Sequence, residues 1–288
     1  INRNKMNNKL IIMLSAKRCG STAIFKIFQN NKFCKIAHKN QNIDNWEIQF
    51  WTMASKALKG NDYHLRSRLK ECLPQLEIPK NLNKKKIFNL WDRIHRILGK
   101  TIFDKSPQYL GDMDALNLIY EYSKKNNVKI FCFIRNPLDA ITSQHELWKN
   151  YTNERSLKIR ERNWLKQYKN FEKFKSKLNI LFFRYEDFVA QPNLNGKRLM
   201  NFCGIPFNKK DWNHIKPVSI GRYNSSLFYQ IKNWEISAAM NLHIKKYKYL
   251  KNQSSNLFLS TKILMYSIKR YIPSNIKNFL KKQIKWIK

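Results

Sequence analysis

Residues 10–22 read LIIMLSAKRCGST. Leu10–Leu14 is a short, unbroken apolar run of the kind a fully buried strand needs. It passes directly into a polar stretch and then into Thr22–Asn30. There Ala23, Ile24, Ile27 and Phe28 fall at helical spacing. A strand, a tight polar loop and a helix start make an anion site, because backbone N–H groups and the positive end of the helix dipole point at the ligand. Gly20 permits close backbone approach. Ser21 and Thr22 are expected to cap the helix and to donate to phosphate oxygens. Lys17 and Arg18 add positive charge. Ser-Thr before a helix is equally often a cap and nothing more. The loop does not match the nucleotide pattern GxxxxGK[ST], since Ala16 and Cys19 break it. A P-loop kinase is therefore only a distant alternative.

Working outward, three more apolar runs read as strands: Thr101–Phe103, Lys129–Ile134 and Asn179–Phe183. Helical patterns lie between them, at Asp112–Lys125, Leu138–Trp148 and Trp164–Phe174. Strands alternating with helices predict an α/β fold, with a parallel sheet flanked by helices on both faces. Ligands of such sheets bind outside the strand C-termini. Residues 31–99 carry only helical or irregular signals, including Leu65–Leu69 and Ile87–Leu98. That length predicts a helical insertion that shapes a second substrate's site.

The run Lys129–Ile134 ends in Arg135-Asn-Pro-Leu-Asp-Ala-Ile-Thr-Ser143. Arg135 then sits at the sheet's C-terminal edge, and Pro137 suits the first turn of a helix. Ser143 lies eight residues on, about two helical turns. Arg135 and Ser143 could converge on one phosphate. The alternative is an Arg135–Asp139 pair and a solvated serine.

Taken together, the two loops resemble the sulfotransferase superfamily, whose members use 3′-phosphoadenylyl sulfate (PAPS). Arg18-Cys-Gly-Ser-Thr22 is similar to that family's 5′-phosphosulfate loop, and Arg135–Ser143 to its 3′-phosphate motif R-[ND]-P-x-D-x-x-x-S. Three supporting segments follow in order: Phe103-Asp-Lys-Ser-Pro-Gln-Tyr109, Phe183-Arg-Tyr-Glu-Asp-Phe188 and Ser219-Ile-Gly-Arg-Tyr223. The resemblance spans residues 10–250 and implies a P-loop NTPase-like sulfotransferase fold. Two departures stand out. Cys19 replaces the usual serine, which removes one donor. The Arg-Lys-Gly tripeptide of the cytosolic small-molecule branch is absent near residues 219–223. The expected class is therefore the carbohydrate or protein branch, with a saccharide, lipid headgroup or protein hydroxyl as acceptor.

The resemblance also implies roles. Lys17, Arg18, Cys19, Gly20, Ser21 and Thr22 would hold the 5′ end of PAPS, with Arg18 beside the bridging oxygen. Arg135 and Ser143 would hold the 3′ phosphate, with Arg222 and Tyr223 as further contacts. Tyr185 either meets the adenine or packs as a strand-end aromatic. The acceptor hydroxyl needs a general base. Glu47, in Trp46-Glu-Ile-Gln-Phe-Trp51, is the first candidate, because burial among aromatics would raise its pKa. His38 and His145 are the runners-up. Lys105 contacts the acceptor or phosphosulfate, or is a surface lysine. No metal is expected.

The composition limits the alternatives. Fifty-six Lys+Arg against 19 Asp+Glu give a net charge of +37. Such a surface attracts polyanions. An AT-rich coding sequence would also inflate Lys, Asn and Ile, so charge alone decides little. A nucleic-acid-binding module is disfavoured, because the basic residues are spread along the chain and no recognised motif is present. The five cysteines form no CxxC pair or zinc spacing, which fits a reducing, cytoplasmic setting. The run at Leu10–Leu14 is too short for a signal segment. Residues 251–288 form a separate basic tail. From Ile276 its apolar positions 276, 279, 280, 284 and 287 make one helical stripe flanked by lysines. That stripe either attaches the protein peripherally to an anionic membrane surface or packs on the core. The oligomeric state leaves no mark on the sequence.

Overall fold

The computed structural model describes residues 8–36, 47–148, 156–215, 220–224, 226, 231 and 233–249. His38 and the basic tail lie outside the described residues.

Five parallel strands form one sheet in the order β2-β3-β1-β4-β5. They are β1 (Lys9–Ser15), β2 (Lys35–Ile36), β3 (Thr101–Ser106), β4 (Asn127–Ile134) and β5 (Leu181–Arg184). β1 is central and pairs with β3 on one side (Leu14 opposite Ser106) and β4 on the other (Leu14 opposite Cys132). Leu10–Leu14 are essentially inaccessible, which accounts for a strand with no polar alternation. Because the chain leaves β1 toward β2 and β3 and later returns on the far side to β4, the order reverses at β1. The crevice at its C-terminal end is where a doubly wound sheet binds ligands.

The helices follow the expected pattern: α1 (Ser21–Gln29), α5 (Met113–Ser123), α6 (Pro137–Trp148), α7 (Leu157–Lys175), α8 (Tyr185–Ala190), α9 (Pro192–Cys203) and α10 (Ala238–Lys246). α1 covers one face of the sheet, stacking Phe28 on Phe103 at 4.1 Å. α7 covers the other, with Phe171 5.4 Å from Phe182. The insertion contains α2 (Phe50–Ala57), α3 (Tyr63–Cys72) and α4 (Lys84–Leu98). It also holds β2, a two-residue edge strand too short to leave an alternation signal. α4 begins where the Asn83 side chain accepts the Lys86 N–H. Its Ile87, Leu90, Trp91 and Ile94 are all buried. Trp91 meets Phe50 and Trp51 at 4.7 and 5.3 Å, and Trp51 meets Tyr122 of α5 at 5.3 Å. This aromatic block ties the insertion to the sheet layer and holds α2 beside the C-terminal end of β3.

Candidate active site

The loop after β1 turns through two left-handed residues, Arg18 (φ 66°) and Gly20 (φ 81°). Gly20 is the N-cap of α1, and the Ala23 N–H donates to its carbonyl at 3.1 Å. This corrects the expected cap. Glycine makes the turn, so Ser21 and Thr22 are the first two helical residues and neither hydroxyl caps the helix. Their N–H groups belong to the first turn, which has no carbonyl partners within its own helix, and they face along the dipole. Cys19, where the family's usual serine donor is replaced, turns its side chain inward. Its thiol is fully buried, and burial pushes its pKa up to about 12. That thiol faces the Lys17 carbonyl at 3.9 Å.

The 3′ motif meets this loop directly. Arg18 Nε donates to Ser143 Oγ at 3.0 Å, and Arg135 Nη1 donates to the Arg18 carbonyl at 3.0 Å. Ser143 and Arg135 are buried, Arg135 just past the end of β4 and Ser143 within α6. The Arg135 guanidinium stands 4.9 Å over the Tyr185 ring. A Cβ on Gly20 would sit 2.5 Å from that ring. Arg135 also approaches Asp139 at 3.9 Å. That carboxylate, however, is chiefly engaged by the Gly221 and Tyr223 N–H groups, at 2.9 and 2.8 Å. Asp139 thereby pins the 220–224 segment onto α6. Within it Arg222 pairs with Glu146 at 2.5 Å, and the Tyr223 ring packs 6.2 Å from Trp234. Beside the cluster lies an apolar cavity of about 190 Å³, lined by Gly20, Ala23, Ile24, Phe133, Tyr185 and His214 among others.

At the end of β3, Lys105 is 4 % exposed and pairs with Glu47 at 2.8 Å. Lys105 is thus no surface lysine. Burial raises the Glu47 pKa above the usual carboxylate range, while Lys105 and Ser106 pull it back. Asp104, on the opposite face of the strand, accepts a 2.8 Å hydrogen bond from the buried Tyr109 hydroxyl. Burial pushes Asp104 up to about 7. His145 is 2 % exposed, inside α6.

Between these two clusters and α7 lies a larger cleft of about 540 Å³, with Lys17 in its wall. Among the described residues no group of three or more His, Cys, Asp or Glu side chains could hold a metal ion, and no helix is long and apolar enough to cross a membrane.

The profile of the Sulfotransferase family matches residues 11–209. The chain belongs to this family. It is a transferase that moves sulfuryl groups. A search of curated proteins finds no match. Among solved structures, this sulfotransferase resembles the sulfotransferase domain of the Synechococcus PCC 7002 olefin synthase. The TM-score is 0.52 and the identity 18%, covering 92% of this chain and 96% of that one. A Mycobacterium avium sulfotransferase matches with a TM-score of 0.50 at 9% identity, covering 83% and 76%. Identities this low show the shared fold alone.

Three participants in this sulfotransferase's site escape the sequence reading. Gln144 donates to the Lys17 carbonyl at 3.4 Å, Glu186 accepts the Asn136 N–H at 2.8 Å, and Asp104 is buried on Tyr109. Glu186 and Asp104 stand inside motifs quoted above, so their position was visible and their partners were not. Gln144 left no signal beyond its place next to Ser143.

Proposed function

We propose that this sulfotransferase uses PAPS as donor and transfers its sulfuryl group to an acceptor hydroxyl on a saccharide, lipid headgroup or protein. The observation that carries this reading is the junction of the two phosphate loops. Arg18 reaches Ser143 while Arg135 reaches the Arg18 carbonyl. Two anion-binding elements from separate strand ends therefore form one surface, as a nucleotide phosphorylated at both 5′ and 3′ positions requires.

The groups divide by task. The Ser21 and Thr22 N–H groups, Lys17 and Arg18 neutralise the 5′ end. Arg135 and Ser143 hold the 3′ phosphate, and arginine supplies fork geometry that lysine lacks. The apolar cavity lined by Gly20 and Tyr185 suits a flat base. Arg222, held by Glu146 one helical turn beyond Ser143, is the secondary clamp. In the reaction the acceptor oxygen forms a bond to sulfur as the bond from sulfur to the bridging phosphate oxygen breaks. The acceptor's proton passes to Glu47, and the bridging electrons leave with adenosine 3′,5′-bisphosphate. Glu47 is suited to this because burial lifts its basicity while Lys105 keeps the ionised form accessible. Lys105 sits between the base and the reacting centre, where growing negative charge is best stabilised by a fixed cation.

A ³⁵S-PAPS transfer assay over glycans, lipids and peptides tests the reading. Label is expected in one hydroxyl-bearing fraction. Label released only as free sulfate, with no bisphosphate bound by the protein, would contradict it.

A further inference from the structure

The outer face of α7 carries a row of positive charge that the rest of the chain leaves unanswered. Lys158, Arg162, Lys166, Lys169 and Lys173 are all exposed. At about 100° per residue they fall within an arc of about 80°, and they span about 22 Å along the helix axis. Among the described residues none of the five has an ion pair. The two acids of α7 are taken up by α10 and the segment before it. Glu161 accepts the Trp234 indole N–H at 3.0 Å and the Ser237 N–H at 3.1 Å. Glu172 pairs with Lys246 at 3.0 Å and accepts the Tyr247 hydroxyl. On other exposed faces, Lys59, Lys84 and Arg93 do have carboxylate partners, Asp114, Glu121 and Glu77.

Contacts on either side fix where the row sits. On one flank Trp164 and Tyr168 meet His243 of α10, ring to ring, at 5.6 and 5.3 Å. On the other, Asn163 and Gln167 line the cleft described above, and Lys166 belongs to both the row and the cleft wall. Aliphatic side chains stand beside the charges. Leu242, on the outer face of α10, is 67 % exposed, with Lys245 exposed one turn on. Ile159 is exposed next to Lys158.

The chemistry of the row separates its possible partners. Four of the five cations are lysines, which are strongly hydrated point charges; shaped recognition of a phosphate or carboxylate uses arginine forks instead. Lysine is also depleted in protein interfaces, whose centres are aromatic and apolar. The aromatic rings of α7, on Trp164, Tyr168, Phe171 and Phe174, are all buried, so none is open to stack a nucleic-acid base. A straight lysine-rich row beside exposed aliphatic side chains matches a surface of diffuse negative charge with an apolar layer beneath it. We infer that α7 and α10 seat the enzyme on an anionic lipid surface, with the cations of α7 against the headgroups, Leu242 among them, and the cleft opening at that surface. This inference is independent of the donor and acceptor readings above.

The test is co-sedimentation of the full chain with vesicles of equal parts phosphatidylcholine and phosphatidylglycerol, and with vesicles of phosphatidylcholine alone. It uses the wild type, a Lys158→Gln/Arg162→Gln/Lys169→Gln/Lys173→Gln variant, and a charge-matched control, Lys85→Gln/Lys100→Gln/Lys125→Gln/Lys197→Gln, whose lysines are exposed on other elements. Lys166 is kept because it borders the cleft. The wild type should sediment with the anionic vesicles only. The α7 variant should partition at least about tenfold less, since each cation near such a surface contributes about a factor of five. The control should lose less than about threefold, because charges more than a Debye length from the surface are largely screened. Acetylation of the wild-type lysines, read by mass spectrometry, needs no variant. Anionic vesicles should protect Lys158, Lys169 and Lys173 and leave Lys85 and Lys125 unchanged. Failure to bind the anionic vesicles overturns the inference. So does an equal loss in both variants, which would assign the effect to the overall +37 field. Binding with α7 unprotected overturns it in favour of the basic tail. Tighter binding to a DNA duplex than to the anionic vesicles, with the same lysines protected, overturns it in favour of nucleic acid.

Discussion

At the end of β1 the chain meets negative charge with backbone; at the end of β3 it meets it with paired side chains. The β1 loop needs a left-handed arginine, a left-handed glycine and a helix start, all within five residues. Its positive character comes from oriented N–H groups, which need no reorganisation when an anion arrives. The β3 end joins Glu47, from before α2, to Lys105, and seats Asp104 on Tyr109. Its properties come from burial, which lifts both carboxyls above their ordinary range. On the proposed reading the first region binds and the second exchanges a proton. Substitutions should therefore separate them, the β1–β4 side moving affinity and the β3 side moving rate and pH dependence.

The largest effect is expected on the β3 side. Glu47→Gln should lower kcat by about 10²–10⁴, the usual contribution of a positioned base. In the wild type, kcat should rise with pH as Glu47 loses its proton, with a midpoint above the ordinary carboxylate range because burial raises it. The Gln variant should lack that rise. A variant that keeps near-normal kcat would move the base elsewhere, and steady-state kinetics from pH 4 to 9 decides it.

Arg18→Ala bridges the two regions, since on the proposed reading Arg18 lies in the binding loop but beside the bond that breaks. Charge at the bridging oxygen develops only in the transition state, so kcat should fall about 10²–10³ while bisphosphate affinity changes less. Arg135→Ala should do the reverse. The 3′ phosphate carries the same charge before and during transfer, so its clamp contributes uniform binding. Calorimetric titration should show a loss of about 1.5–3 kcal/mol in bisphosphate affinity, the range for a charged hydrogen bond, with kcat nearly unchanged.

Gly20→Ala sharpens the comparison through the fold. The new Cβ would lie 2.5 Å from the Tyr185 ring, on a residue at φ 81°. A left-handed alanine costs about 1–2 kcal/mol before the ring moves. Chemical denaturation should show at least that loss.

The last prediction concerns stability against pH. The folded-state pKa of Asp104 is raised to about 7 from an ordinary 3.8. The native state thus holds this proton more tightly than the unfolded chain does. The associated stability is complete below about 3.8 and fades as pH rises through about 7. Asp104→Asn should flatten that decline between about pH 4 and 7 in urea titrations. A decline as steep as the wild type's would remove Asp104 as its source.

Most of this architecture was legible because its signals are local. β1, β4 and α6 are contiguous runs, and the Arg135–Ser143 motif places Arg135 at the end of β4 and Ser143 in the helix that follows, where the structure has them. β2 was not legible, since two residues at an edge carry no periodicity. The helix cap was misassigned for a related reason: a Ser-Thr pair looks like a cap unless the φ of the preceding glycine is known. The Glu47–Lys105 pair joins residues 58 apart in sequence, through an aromatic block whose packing no spacing rule encodes. Cys19 shows the same limit, as its position in the loop was plain but the direction of its side chain was not.

The central claim is that two loops from separate strands form one site for a nucleotide phosphorylated at both ends. The most direct test compares melting shifts produced by adenosine 3′,5′-bisphosphate and by AMP, on the wild type and on Arg135→Ala. A ligand that binds only the native state adds about 2.7 kcal/mol at 100 times its Kd. The bisphosphate should therefore raise the wild-type Tm clearly and AMP far less, and the difference should vanish in Arg135→Ala. Equal shifts from the two nucleotides in the wild type would contradict the account, because the end of β4 would then hold no phosphate.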